Sequence, residues 1–342
     1  MRAGLIVAIK RSSSQRRAVR LTLFNHKGGV GKTTLTVNLA FALANMGKNI
    51  LLVDSDPQCN LTSYLVQADV VDKWLDESEG KTGKTIWSSL RPVIEAGKDI
   101  NIIKPYERAE RVYLLPGDIR LSEYELDLQQ SWIDCLQRKI RGFVGTAALS
   151  NLVQACAEDL GADFVLYDVG PNIGPLNRAI LLDCDFFIVP AACDYFSTRA
   201  LKTLGRSIAN WIRDWDIISK LAPLDVPRLR GRPIYLGYVL QRFRMYGGDI
   251  SSVYRDYARQ LDRHSHSDVA AVLKDVDEKL APGSLSQFKL GQIKDFVTLA
   301  NLAQQQGVAI SDVNGGAQYL KTEARGAFKE FAKRVIARIE GL

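Results

Sequence analysis

The chain has 342 residues, 46% hydrophobic and 24% charged, enough for a large core with an ordinary water-facing surface. Net charge is +7, yet the first twenty residues hold Arg2, Lys10, Arg11, Arg16, Arg17 and Arg20 with no acid, so the excess is a basic arm on a nearly neutral body. Five scattered cysteines without a C-x-x-C pair, and only three histidines, argue against a disulfide frame, a cysteine-held zinc or iron–sulfur centre and a histidine-based triad.

Residues 1–18, where Ser12-Ser13-Ser14-Gln15 leads into Arg16-Arg17, read as a flexible basic arm. Strand-like apolar runs then alternate with helical patterns. Strands are expected at 19–25, 49–54, 100–103, 111–115, 163–168, 185–190, 233–239 and 308–310. Helices are expected at 32–46, 85–97, 120–141, 145–160, 196–219, 249–262, 267–279 and 317–340, with Gly47 ending the first. The polar run 69–84 and the Pro/Arg-rich run 222–233 read as exposed loops. Such alternation marks an α/β fold: a doubly wound, mostly parallel sheet of about seven or eight strands with helices on both faces. The most apolar stretch, 179–192, is broken by Asp183 and Asp185, and Leu5–Ile9 is too short for a signal peptide. A soluble cytoplasmic protein is expected.

Between the first strand and the first helix stands Lys27-Gly28-Gly29-Val30-Gly31-Lys32-Thr33-Thr34. Its glycines let the backbone curl so that successive N–H groups face phosphate oxygens, and the following helix adds the positive end of its dipole. Lys32 can reach the terminal phosphates, and the Thr33 hydroxyl is placed to ligate Mg²⁺. The generic loop has glycine where His26 stands, so the ordinary pattern is not met in strict form. The second strand ends Val53-Asp54-Ser55-Asp56-Pro57-Gln58, and strand ends in such sheets face the ligand crevice. Phe164-Val165-Leu166-Tyr167-Asp168 has the Walker B form, apolar residues and then an acid that holds Mg²⁺ through water. Gly170-Pro171-Asn172-Ile173-Gly174 follows as a loop able to change conformation.

With Lys27 near its start, this loop resembles the deviant Walker A loop of the ParA/MinD family of ATPases. Further matches extend the likeness across most of 19–341: Asp54-Ser55-Asp56-Pro57-Gln58, Leu114-Leu115-Pro116-Gly117-Asp118 with Leu121-Ser122, Ile188-Val189-Pro190 followed by Tyr195, and Ile293-Lys294-Asp295-Phe296 through Leu302-Ala303-Gln304. The resemblance implies one P-loop ATPase domain over 19–342 that uses ATP and Mg²⁺, with inserts near 69–99 and 245–285 relative to the shortest members. It implies that Lys27 crosses a homodimer interface to the partner's nucleotide and that Asp56 orients or activates the attacking water. Asp54 would support the metal held by Thr33 and Asp168, and Gln241 would lie near adenine. The family usually shows two prolines after the Walker B aspartate; here Val169-Gly170-Pro171 keeps only the second, which touches the geometry of the switch loop.

Such a design is a slow switch, in which ATP joins a dimer and hydrolysis releases it. On the helix at 196–219, Arg199, Lys202, Arg206 and Arg213 form a basic stripe opposite Leu204, Ile208, Ile212 and Trp215. Lys321, Arg325, Lys329 and Lys333 form a second stripe on the last helix. Solvated charged faces are the bland reading of any one of these residues. ParA-like dimers bind DNA non-specifically through basic residues of this region. The resemblance therefore implies a nucleoid-associated protein of DNA partitioning or cargo positioning, with a ParB-like or other adaptor stimulating hydrolysis. A MinD-like membrane switch is a rival: Phe328, Phe331, Val335 and Ile339 share a face that serves either as an anchor or, the preferred reading, as core. A metabolic P-loop enzyme is another, though such relatives generally lack the early lysine. About twenty residues precede the loop, too few for a helix-turn-helix, so sequence-specific DNA reading is not expected.

Overall fold

Runs such as Ile50-Leu51-Leu52-Val53 and Phe164-Val165-Leu166-Tyr167 are apolar on both faces, so they are stable only as strands with helices above and below. The computed structural model describes residues 17–80, 82–241, 245–246, 249–250 and 252–342. The basic arm, up to residue 16, lies outside the described residues. The elements are β1 (Val19–Leu23), α1 (Lys32–Ala44), β2 (Ile50–Asp54), α2 (Asn60–Leu65), α3 (Ala68–Asp76), α4 (Ile86–Ala96), β3 (Tyr106–Ala109) and β4 (Val112–Leu115). There follow α5 (Leu121–Leu136), α6 (Ile140–Leu160), β5 (Phe164–Asp168), α7 (Pro175–Asp183), β6 (Phe186–Ala192), α8 (Tyr195–Ile218) and β7 (Ile234–Gln241). A hairpin, β8 (Met245–Tyr246) with β9 (Asp249–Ile250), leads into α9 (Ser252–His264), a π-helical turn (Ser265–Ala270) and α10 (Ala271–Lys274). The chain closes with β10 (Lys289–Ile293), α11 (Val297–Gln306) and α12 (Gln318–Glu340).

Eight strands form one sheet in the order β10-β7-β6-β1-β5-β2-β4-β3, with β3 the antiparallel edge. β1 lies between β5 and β6, all parallel, so the loop after β1 emerges at the same edge as the ends of β2 and β5. Register places Asp54 directly beside Asp168 there. One face is covered by α4 to α8 with the 252–274 helices, packed through Trp87, Tyr124, Phe143, Leu204, Ile212 and Leu261. The other face carries α1, α2, α3, α11 and α12. Phe328, Phe331 and Val335 of α12 are buried in that second core, and Ile339 packs against it, so the apolar face that could have been an anchor is spent inside the protein.

Several local expectations give way to tertiary context. No strand forms at 100–103; the edge strand is Tyr106–Ala109, whose polar sequence hides it because one side stays in water. Residues 308–310 lead into a 3₁₀ turn, Ile310–Asp312, and the terminal strand is β10, a mixed Lys-Leu-Gly-Gln-Ile run. The polar run 69–84 is not all loop: α3 occupies its first half, with Val71 and Trp74 buried under an acidic outer face. The helices expected at 120–141 and 145–160 divide at 137–139, and Gly142 sits inside α6. A Cβ there would stand 2.6 Å from the Ser131 carbonyl oxygen, so the glycine serves close helix crossing and does not end a helix. Arg20, counted with the arm by charge, lies in β1 almost fully buried and is paired with Asp183.

Candidate nucleotide site

The loop after β1 is held from within. Asn25, wholly buried, donates from Nδ2 to the Pro190 carbonyl at 2.8 Å and accepts the Lys27 N–H at 2.9 Å. Gly29 and Gly31 have φ of 70° and 76°, the left-handed region where a side chain is strained. Gly31 is also the N-cap of α1, and a Cβ on it would overlap Gln241 Oε1. Gly28 and Gly29 are exposed while Val30 is buried, so the loop offers backbone outward and anchors itself with one side chain. Lys32 is buried, its ammonium donating to the Asn25 carbonyl at 3.1 Å. Burial lowers its pKa, while the nearby carboxylates of Asp168 and Asp56 act the other way. Thr34 accepts the Asn38 amide on its carbonyl at 2.8 Å, which steadies the first turn.

Thr33 Oγ1 donates to Asp168 Oδ2 at 2.7 Å, leaving Asp168 Oδ1 buried without a partner. Burial, with Asp54 and Asp56 close by, pushes the Asp168 carboxyl up to about 8; Thr33 and Lys32 pull only partly against this. An orphaned oxygen in a negatively charged crevice, next to a hydroxyl, fits a hard divalent cation such as Mg²⁺. Among the described residues no group of three or more His, Cys, Asp or Glu is arranged to hold a metal. At phosphate loops one hydroxyl and one carboxylate suffice for Mg²⁺, because phosphate and water fill the remaining positions.

The other two aspartates differ in employment. Asp54 is fully buried, and its Oδ2 accepts both the Thr62 N–H at 2.7 Å and the Thr62 hydroxyl at 2.6 Å. Burial raises its pKa to about 7. Asp54 thus pins α2 to the end of β2 through Thr62, while strand register keeps it beside Asp168. Asp56 lies on the turn that follows, with Oδ1 accepting the Gln58 N–H at 3.0 Å. A Cβ at Gly170 would stand 3.2 Å from this Oδ1, so the loops that follow β2 and β5 meet here. Asn177, to which sequence reading gave no role, fixes the second loop by donating to Gly170 O at 2.9 Å and Asn172 O at 3.0 Å. Its only sequence signal was an asparagine beside Arg178 in the first turn of α7.

Lys27 is half-exposed at the rim. Its ammonium meets Asp194 Oδ2 at 2.5 Å and Ser197 Oγ at 3.1 Å, and Asp194 also caps α8 by accepting the Ser197 N–H at 2.8 Å. His26 Nε2 lies 3.2 Å from Thr203 Oγ1 on the same helix. Asp194 was recognisable as a cap from Asp-x-x-Ser, but nothing local pairs it with a residue 167 positions away. Gln241, expected near a base, lies against Gly31 with its Nε2 buried and unpartnered.

A family model described as AAA domain matches residues 19–219. The sporulation initiation inhibitor protein Soj of Bacillus subtilis is 30% identical over 190 residues, 54% of this chain and 62% of that one. The chromosome partitioning protein ParA of Caulobacter vibrioides is 29% identical over 191 residues, 55% of this chain and 61% of that one. The chain belongs to this AAA-domain family, in its ParA/MinD group of ATPases. A solved structure from Corynebacterium diphtheriae superposes with a TM-score of 0.71 at 25% identity, covering 94% of this chain and 98% of that one. The matched segment spans 47% to 66% of the first curated relatives' length. No helix among the described residues is long and apolar enough to cross a membrane.

The structure separates the two basic stripes. Arg199, Lys202, Arg206 and Arg213 on α8 are exposed, with no carboxylate partner among the described residues. Arg199 instead lies against Tyr195, bonding its hydroxyl at 3.0 Å. On α12, Lys321 is half-buried and donates to the Val313 carbonyl at 3.3 Å, Arg325 pairs with Asp312 at 3.2 Å, and Lys329 is exposed. The two helices cover opposite faces of the sheet, so the stripes are not one surface.

Proposed function

We propose that this chain is a ParA-like ATPase. In this reading it dimerises face to face on ATP, binds DNA without sequence preference, and uses slow hydrolysis as the reset of a DNA-partitioning or cargo-positioning switch. The observation that carries it is the phosphate loop with an extra lysine at its rim, set over a buried carboxylate pair. Loop N–H groups and Lys32 would hold the phosphates. Thr33 and Asp168 would hold Mg²⁺, which neutralises phosphate charge when bound. Asp56 would orient the attacking water. Lys27 would leave Asp194 and reach the partner's phosphates. A half-exposed ion pair of this kind is worth about 0–1 kcal/mol, so exchanging it for a triphosphate costs little. The α8 stripe is the favoured DNA surface, since its cations are unmatched. The partitioning relative from Caulobacter supports the assignment, and an adaptor of the ParB kind would bring the stimulating residue.

The test is DNA pelleting and sizing with ATP and with ADP for wild type, Lys32→Ala and Asp56→Ala. Wild type is expected to dimerise and pellet with ATP only. Lys32→Ala should do neither, and Asp56→Ala should remain dimeric and DNA-bound because it cannot hydrolyse. A pure ATP-bound protein that stays monomeric, or that ignores DNA at low ionic strength, would end this reading.

A further inference from the structure

A cleft of about 510 Å³ opens between the far end of α1 and the middle of α12, on the sheet face away from α8. None of its lining belongs to the phosphate loop, to 54–56 or to 168–174, so it is separate from the nucleotide site. Phe41 from α1, Met46 from the turn just after it and Phe328 from α12 give it an apolar side; Asn45, Arg325 and Lys329 give it a polar, cationic side. Phe41 and Met46 are only half-buried, so a ring and a thioether present surface to the cleft. Arg325 and Lys329 lie one helical turn apart. Arg325 is matched by Asp312, which also lines the cleft, whereas Lys329 has no ion-pair or hydrogen-bond partner among the described residues. One positive charge at the rim is therefore uncompensated.

A solvated helix face accounts for a free lysine alone. It does not account for a half-covered ring and thioether facing that lysine across a cavity of small-ligand size, about 300–1,000 Å³. We propose that this cleft binds a small ligand made of a planar ring and a phosphate, of nucleoside monophosphate size. The ring packs on Phe41 and Phe328 with Met46 beside it. The phosphate is held by Lys329, the uncompensated cation, with Arg325 kept in place beside it by Asp312. The exposed Asn45 amide is available to the ring's polar edge. Asn38 is a strut in this wall: Nδ2 donates to Thr34 O at 2.8 Å, and Oδ1 accepts the Ile310 N–H at 2.8 Å.

The experiment is isothermal titration of the full chain, saturated with ADP and Mg²⁺ so that the phosphate loop is filled, with AMP, GMP, CMP and UMP. At least one is expected to bind at one site per chain with a Kd below about 1 mM. Inorganic phosphate and the matching free nucleoside should each bind about tenfold more weakly. Lys329→Glu and Phe41→Ser should each weaken the monophosphate by about tenfold or more while ADP affinity stays unchanged. Lys329 is a rim residue whose exchange leaves the core intact, so that variant decides even where the serine variant is unstable. The proposal is overturned by an absence of heat up to about 5 mM, by undiminished binding to Lys329→Glu, or by inorganic phosphate binding as well as the monophosphate, an adventitious ion only.

Discussion

Gly31 meets two demands that alanine cannot: a φ of 76° and the Gln241 side chain pressed against its α-carbon. Gly31→Ala is expected to cost about 1–3 kcal/mol of loop geometry, hence about tenfold or more in nucleotide affinity. A fluorescent-nucleotide titration checks it, and wild-type affinity would mean that the loop relaxes freely. A second residue-scale feature lies at the start of β1, where Arg20 meets Asp183 of α7. Burial by itself would raise the Asp183 pKa, but Arg20, with the Ser150 and Tyr167 hydroxyls, holds it below the ordinary carboxylate value. A depressed folded pKa gives stability that is full above the unfolded value of about 3.9 and is lost as pH falls through the folded value. Asp183→Asn leaves Arg20 charged and uncompensated, and should cost about 3–5 kcal/mol in urea unfolding at neutral pH. That deficit should shrink as pH falls below about 4, where the unfolded wild-type carboxyl and then, at its lower value, the native one take up a proton. A deficit that stays constant with pH would remove this pair from acid stability.

At the scale of elements, α8 links the phosphate loop, the basic stripe and the 252–274 helices. Its first turn receives Lys27 through Asp194, and its middle carries Gly205, where a Cβ would overlap the Asp268 carbonyl. Gly205→Ala should therefore push the π-helical turn off α8 and cost about 1–3 kcal/mol, read by chemical denaturation. An unchanged midpoint would mean that the insert is loosely docked. The two basic stripes make opposite demands on the same assay. Arg206→Glu on α8 should abolish most ATP-dependent DNA pelleting, whereas Arg325→Glu should change it little, because Arg325 is already matched by Asp312. Equal losses from both would place DNA on a surface that wraps the sheet edge.

For the whole molecule, the proposed dimer, with four unmatched α8 cations per subunit, would offer up to eight phosphate contacts. With about six to eight phosphates neutralised, the logarithm of affinity should fall with the logarithm of salt at a slope of about −5 to −7. A slope near zero would rule out backbone-driven binding. How much of this was legible beforehand follows from how local each feature is. The loop at 27–34 and the acid ending β5 were readable because a few consecutive residues create them: glycines set the backbone and an apolar run sets the strand. The parallel sheet was readable from its doubly apolar strands, while edge strands β3 and β10 were hidden because half of each faces water. The partnership of Lys27 with Asp194, the use of Asp54 on Thr62, the clamp from Asn177 and the separation of the two basic helices were not legible. Strand order alone brings those groups together or sets them apart, across up to 167 residues, and short-range propensity carries no information over that distance. The amino-acid string by itself determined the phosphate-loop pattern and the glycine backbone that shapes it. Which side chains stand idle, which are already committed, and which surface is left with uncompensated charge were decided by packing, because each depends on what the fold brings within a few ångströms.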